Sequence, residues 1–218
     1  EMEIERLVRE VDLNHHLVEG NDIGRAKRID DAAGRYIVYV KNTFPLDLTL
    51  DGVRIVLDCA SGAGYKVAPA IFEELGAELI VLDDRPTGFN INEKTGALFP
   101  KKTCEAVVKF RADVGISLDG DGDRVILVDE AGKIVNGDHI LAICGIHLAK
   151  KKSLPSNTIV ATHMSNVGLE LALKEHGISL VRTEVGDKYV VEEMRNHGYI
   201  LGGEQSGHWR RHAVQQRD

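Results

Sequence analysis

The chain has 218 residues, enough for one or two domains with real hydrophobic cores. Its 43% hydrophobic and 28% charged residues describe a globular protein, and the formal net charge of −7, with no basic block before the last residues, argues against a nucleic-acid partner. No apolar run approaches the roughly 18 residues of a membrane span, and the acidic opening EMEIERLVREVD is no signal peptide, so no membrane partner is expected and the expected compartment is the cytoplasm.

The first residue is glutamate rather than methionine, and the chain reads as a piece of a longer polypeptide. Its first twenty residues read as a short helix and a link, with His15 and His16 in solvent. Residues 21–44 predict a long helix, because Ile23, Ala26, Ile29, Ala33, Tyr36 or Ile37, and Val40 recur at steps of three and four, with Asn21 or Asp22 as cap. Strand VRIVLD, turn SGAG, helix YKVAPAIFEELG and strand AELIVLD then make a βαβ unit of the length a parallel pair needs. A turn-rich loop, RPTGFNINEKTG, leads to a helix over 100–110, strand ADVGISL, an aspartate-rich loop, strand VILVD and a helix over 137–151. After KKKSLPSN, the best linker candidate, the pattern restarts: strand TIVATHM, helix SNVGLELALKEHG, strand ISLVRTE, helix VGDKYVVEEMRNHG, strand YILGG. The expected fold is two consecutive α/β domains with mixed, largely parallel sheets flanked by helices. Cys59, Cys104 and Cys144 are isolated in apolar surroundings and read as reduced thiols of a cytosolic protein.

The stretch SLDGDGDRVILVDE crowds Asp119, Asp121 and Asp123 into five residues. Like charges that close repel and resist burial, and a divalent cation is the usual resolution. The spacing also matches a calcium loop, with Ile126 at position 8 and Glu130 at position 12. Against that reading, Arg124 stands where an EF-hand needs glycine, and the flanks alternate like strands rather than helices. A loop at the carboxyl end of a strand, where open α/β sheets bind ligands, fits better. Three monodentate oxygens leave room for water and a phosphoryl oxygen, which suits Mg²⁺. Arg124 would pair with the carboxylates and reach a phosphate.

SGAG between strand and helix invites a dinucleotide reading, with Asp83 at the end of the next strand, although Val67 stands where the third glycine belongs. A tight strand-to-helix turn explains the glycines equally well. In LGGEQSGHW a strand runs into a glycine-rich turn carrying Glu204, Gln205, Ser206 and His208. Side chains held there would suit sugar hydroxyls, or the stretch is an ordinary surface turn. No histidine pair has a zinc spacing.

DGDGDR after a strand, with GEQSGH about eighty residues on, resembles the α-D-phosphohexomutase superfamily. GRAKRIDDAAGRYIVYVKNTF, GFNINEKTGALFP, MSNVGLELALKEHGI, VGDKYVVEEM and LGGEQSGH resemble its phosphoglucosamine mutase branch, over residues 20 to 208. The resemblance implies a four-domain enzyme around one cleft that interconverts glucosamine 6-phosphate and glucosamine 1-phosphate, on the route to UDP-N-acetylglucosamine and peptidoglycan precursors. An active-site phosphoserine would donate its phosphoryl group, and a bisphosphorylated sugar would be the intermediate. Carried onto this chain, Asp119, Asp121 and Asp123 would hold Mg²⁺ and Arg124 would orient phosphoryl oxygens. Glu204 and Ser206, with His208 nearby, would grip the sugar, and Gly186, Asp187 and Lys188 would line the same cleft.

The departures matter as much. The family's serine lies in a threonine-alanine-serine-histidine-asparagine-proline loop, and no such stretch occurs in this sequence. After GEQSGH the family continues with an apolar strand, whereas here the sequence is the polar, basic WRRHAVQQRD, as from a shifted frame. The expected organisation is residues 1–21 as a link from a first domain, 22–149 as the second domain with the metal loop, and 153–218 as a truncated third domain. On that reading the 218 residues alone are catalytically incomplete. The alternatives are a phosphomannomutase or phosphoglucomutase, or a non-catalytic Mg²⁺-binding sugar-phosphate module.

Overall fold

The computed structural model describes residues 2–10, 17–18 and 20–211. It divides into two units, Glu1–Arg35 and Tyr36–Asp218. In the first, helix α1 (Met2–Glu10) carries ion pairs at helical spacing, Arg6 to Glu3 at 2.7 Å and Arg9 to Glu5 at 3.6 Å. His15 and His16 lie outside the described residues.

The long helix expected over 21–44 is a shorter one. A 3-10 turn at Gly20–Asp22 is followed by irregular chain, and helix α2 is Ala32–Lys41. None of its residues is buried; Tyr36, Val38 and Tyr39 stand more than half exposed. The apolar stripe is there, but tertiary burial, which sustains most helices, is not. Gly24 and Gly34 lower the intrinsic preference further.

The first sheet has the order β2-β1-β3-β4-β5, from β1 (Arg54–Asp58), β2 (Glu78–Leu82), β3 (Val114–Leu118), β4 (Val125–Val128) and β5 (Ile134–Val135). β1 pairs in parallel with β2 and β3, and β3-β4-β5 is antiparallel. β1 alternates its side chains between two cores, as a central strand must. Ile55 and Leu57 pack with Ala68 of α3 (Val67–Glu74), while Val56 packs with Ala106 and Val107 of α4 (Lys101–Phe110). Thr103, Ala106 and Val107 supply the buried stripe of α4 at helical spacing.

The second sheet has the order β7-β6-β8-β9, from β6 (Thr158–Thr162), β7 (Ser179–Thr183), β8 (Leu201–Gly203) and β9 (Trp209–Arg211). β6, buried at every residue, runs parallel to both neighbours, and β9 closes the edge antiparallel to β8. α7 (Asp187–His197) covers one face through Val190 and Met194. α5 (Gly137–Lys150) and α6 (Val167–Glu175) cover the other through Leu141, Leu148, Leu169 and Leu173 against Ile159 and Leu201.

One sequence expectation shifts here. α5 was placed with the first sheet, ahead of a boundary at residues 150–152. Its apolar side chains instead complete the core of the second sheet, so the lysine run is a turn inside that layer and the change of core falls before Gly137. The polar tail after GEQSGH still pairs: Trp209–Arg211 runs antiparallel to Leu201–Gly203. A hairpin edge strand is held by main-chain bonds, which do not depend on apolar side chains.

Candidate active site

The aspartate loop joins β3 to β4. Gly122 N–H donates to Asp119 O at 3.1 Å, and Gly122 has φ +75°, the region that favours glycine. The turn folds Arg124 back on Asp119: its backbone N–H donates to Oδ1 at 3.1 Å and its Nε to Oδ2 at 2.8 Å. The same Nε lies 3.5 Å from Asp123 Oδ1. Asp119 is buried, whereas Asp121 and Asp123 are exposed. One carboxylate oxygen from each of the three lies within 4.8 Å of the others. Burial, followed by the pull of the Arg124 N–H and the push of neighbouring Asp123, leaves the Asp119 carboxyl above its ordinary value. Burial also pushes Asp123 up, but the contacts with His208 and Asp119 and the charge of Arg124 together outweigh it, and Asp123 ends below. The EF-hand reading fails on structure: the flanks are β3 and β4, and Glu130 lies outside the cluster.

The SGAG turn serves this loop. Ala63 N–H donates to Gly120 O at 2.7 Å, and a Cβ on Gly62 would sit 2.2 Å from that oxygen. Gly62 is there because two backbones touch, and the space a dinucleotide phosphate would need is taken by the aspartate loop. Asp83 is likewise engaged within the protein, with Thr95 Oγ1 at 2.6 Å and with Lys102.

The second loop, from Glu204 to His208, joins β8 to β9. Glu204 N–H donates to His208 O at 2.7 Å, and Gly207 N–H to Glu204 O at 3.1 Å. The Glu204 carboxylate accepts from Gly186 N–H at 3.0 Å through Oε1 and faces His208 Nδ1 at 2.9 Å through Oε2. The other ring nitrogen, Nε2, lies 2.9 Å from Asp123 Oδ2. A ring donating from both nitrogens satisfies both carboxylates. The second loop is also tied through the main chain to the end of the aspartate loop, where Val125 N–H donates to Gly207 O at 3.2 Å, and to the start of α5, where Gly137 N–H donates to Gln205 O at 3.1 Å.

Asp119, Asp121, Asp123, Arg124, Glu204, His208 and Gly186 thus form one continuous set. Ser206 is beside it, its Oγ 3.5 Å from Glu204 Oε2. Asp187 is turned to Arg210, at 3.7 Å, and Lys188 lies over the Tyr189 ring, so these two are not brought to the carboxylates. Two cavities border the set. One, of about 600 Å³, is lined by Asp123, Arg124, His208 and Trp209; the other, of about 260 Å³, by Thr162, Met164, Val185, Glu204 and Ser206. Sequence reasoning missed Gly137 and Gly207, which let the loops touch: a Cβ would lie 1.9 Å from Glu204 O or 2.5 Å from Val125 O respectively. Their only signal was a glycine beside each motif.

Residues 34–132 match the phosphoglucomutase/phosphomannomutase alpha/beta/alpha domain II, and residues 136–218 match domain III of the same family. The chain belongs to the phosphoglucomutase/phosphomannomutase family. It is 66% identical over 208 residues to a phosphoglucosamine mutase of Bdellovibrio bacteriovorus, covering 95% of this chain and 46% of that protein. A phosphoglucosamine mutase of Pelobacter propionicus is 56% identical over the same length and coverage. The chain therefore spans slightly under half of these curated relatives. Among solved structures, a phosphoglucomutase/phosphomannomutase family protein of Burkholderia thailandensis superposes with a TM-score of 0.78 at 24% identity, over 96% of this chain and 44% of that one. An Aspergillus fumigatus N-acetylphosphoglucosamine mutase, solved in complex with GlcNAc-6P and magnesium, superposes with a TM-score of 0.55 at 22% identity, over 82% of this chain and 38% of that one. At these identities the likeness is one of fold. Among the described residues no helix is long and apolar enough to cross a membrane.

Proposed function

We propose that these residues are the metal-binding and sugar-binding part of a phosphoglucosamine mutase, interconverting glucosamine 6-phosphate and glucosamine 1-phosphate in the cytoplasm. The observation that carries the reading is the meeting of two loops from two sheets, with Asp123 and Glu204 on opposite nitrogens of His208 at 2.9 Å each. A cation site and a sugar-facing carboxylate then lie on either side of one histidine ring, each bordering a cavity, an arrangement that suits phosphoryl transfer to a sugar. The names of the relatives and the magnesium and sugar phosphate of the fungal structure support the choice.

Asp119, Asp121 and Asp123 would hold Mg²⁺, whose charge would draw electron density from a transferring phosphoryl group. The fit rests on the donor set. All three ligands are carboxylate oxygens, close enough for one ion, and Asp119 is buried in a cluster that repels itself when ionised. Arg124 holds Asp119 in place and presents the rest of its guanidinium to phosphoryl oxygens. Glu204, with Ser206 beside it, accepts from sugar hydroxyls at the 260 Å³ cavity. Gly186 fixes the Glu204 carboxylate through its N–H, leaving Asp187 and Lys188 to reach substrate only by turning from their present partners. The phosphoryl donor of the family is a phosphoserine, and the sequence has no matching serine loop.

The test is a coupled assay for glucosamine 1-phosphate, on the product of the complete reading frame that contains these residues, with glucose and mannose 6-phosphates as competitors. Turnover that is Mg²⁺-dependent and prefers the amino sugar supports the reading. Equal or better turnover of glucose or mannose phosphate shifts it to the other branches, and no turnover of any hexose phosphate overturns it.

A further inference from the structure

We propose that His208, a residue of the sugar-binding loop, is a positioning residue for the metal site: it aims Asp123 at the cation, so that the hairpin of the second sheet sets the metal affinity of a loop on the first. The inference rests on the reading of Asp119, Asp121 and Asp123 as cation ligands.

The three carboxylates are not held alike. Asp119 is buried and fastened at both oxygens by Arg124, at 3.1 and 2.8 Å. Asp123 is half exposed, and its contact with Arg124 Nε is long, at 3.5 Å. The short bond that fixes its rotation is the one from His208 Nε2 to Oδ2, at 2.9 Å. With Oδ2 on the ring, Oδ1 is the oxygen on the Asp119 side, because Oδ1 and Asp119 Oδ2 share the same Arg124 Nε. One oxygen of Asp123 is thereby tied back while the other faces the cluster. A metal-ligating carboxylate that is itself hydrogen-bonded is pre-oriented, and loss of such a partner typically weakens metal binding about 10–100-fold.

The ring is fixed in turn. Glu204 Oε2 holds Nδ1 at 2.9 Å, Gly186 N–H holds Glu204 Oε1 at 3.0 Å, and the main-chain bond between Glu204 and His208 closes the hairpin. A sugar that engages Glu204 acts on the anchor of the ring that orients a metal ligand. Linkage makes the effect reciprocal: a cation that holds Asp123 also holds the ring, and so the sugar loop.

The test uses Mn²⁺ alone as the probe, with its affinity read by electron paramagnetic resonance on the 218-residue chain and two variants. In His208→Asn the amide falls near the position of Nδ1, keeping the Glu204 contact and dropping the Asp123 contact. In His208→Gln it reaches the position of Nε2 and keeps Asp123. The expected result is Mn²⁺ binding weakened about 10–100-fold in the Asn variant and within about threefold of the unmutated chain in the Gln variant. A measurement on the unmutated chain needs no variant to fold: on adding Mg²⁺, the His208 Nε2–H observed by nitrogen-15 NMR is expected to remain hydrogen-bonded. Unchanged or tighter Mn²⁺ binding in the Asn variant, or loss of that hydrogen bond on Mg²⁺ addition, overturns the inference and leaves the metal reading standing. Absence of Mn²⁺ binding by the unmutated chain removes the metal reading and the inference with it.

Discussion

Replacing Gly62 by alanine tests the contact on which the metal loop is built. A Cβ at Gly62 would lie 2.2 Å from Gly120 O, 2.5 Å from its Cα and 2.6 Å from its carbonyl carbon. Carbon approaches a carbonyl oxygen no closer than about 3.3 Å, so the two backbones must part by roughly 1 Å. No side chain can give way instead. Forced overpacking costs about 1–3 kcal/mol, and the parting also breaks the 2.7 Å bond from Ala63 N–H to Gly120 O, worth about 1 kcal/mol. The sum, about 2–4 kcal/mol, corresponds to a melting temperature lower by roughly 4–16 °C in a chain of this size. Gly64→Ala is the control, because the Cβ there meets the tip of Leu118 at 3.1 Å, which can turn aside, and Ala68 Cβ at 3.8 Å, an ordinary contact. Its melting temperature should stay within about 2 °C of the parent. Circular dichroism melts measure both, and a Mn²⁺ titration of the folded variants should show weakened binding in Gly62→Ala alone. If Gly62→Ala melts with the parent and binds Mn²⁺ equally, the two turns are not packed as described.

Asp121→Asn should weaken Mg²⁺ and Mn²⁺ binding by at least about tenfold with little change in melting, since Asp121 is exposed and its loss removes like-charge repulsion; calorimetric titration reads the first and a melt the second. The same titration should show Mg²⁺ competing with Ca²⁺, because the cluster lacks the glutamate of a calcium loop. Asp83 gives a pH dependence. Burial pushes its carboxyl up, but the bonds from Lys102 and Thr95 outweigh this and leave it below its ordinary value. The folded state then binds the proton less readily than the unfolded one, so the stabilisation is present above about pH 4 and lost as pH falls below it. Melts of the parent and Asp83→Asn should therefore differ at pH 7, and the difference should shrink as pH falls below the ordinary carboxylate range. Gly137→Ala would set a Cβ 1.9 Å from Glu204 O and should displace the Glu204–His208 loop, broadening or shifting the amide signals of residues 204–208 in NMR spectra while those of β1 stay in place.

The strands and most helices were legible because each obeys a local rule. β1 and β6 are short apolar runs bounded by turns, and α4 carries its buried stripe at helical spacing. The misreadings share one cause: burial depends on what a segment meets, and sequence shows only what the segment offers. Residues 21–44 offer a helical stripe, but α2 buries none of its residues fully. Lys150, Lys151 and Lys152 look like a linker, yet the helix before them belongs to the sheet after them. Trp209–Arg211 looks like a polar tail and is a strand, because its partner is a backbone edge. At the site, the residue types were legible and their distances were not. Asp123 and His208 are 85 positions apart, and their contact exists because the β3-β4 and β8-β9 turns meet in space.

That convergence is made chiefly by backbone. Val125 N–H to Gly207 O and Gly137 N–H to Gln205 O fasten the Glu204–His208 loop to residues on both sides of the change of core, using glycines where a side chain would not fit. The side chains of the loop add to this: His208 spans from Asp123 to Glu204, and Glu204 also accepts from Gly186 N–H. An added methyl at Gly137 or Gly207 is expected to act on the backbone contacts, whereas a substitution at Glu204 or His208 acts on the bonds that orient the metal and sugar ligands. The division also explains why a glycine-rich loop suits this position. Only residues without a Cβ allow two backbones to meet closely enough to be bonded directly, and direct bonding keeps a metal ligand on one sheet and a sugar ligand on the other within reach of one histidine ring.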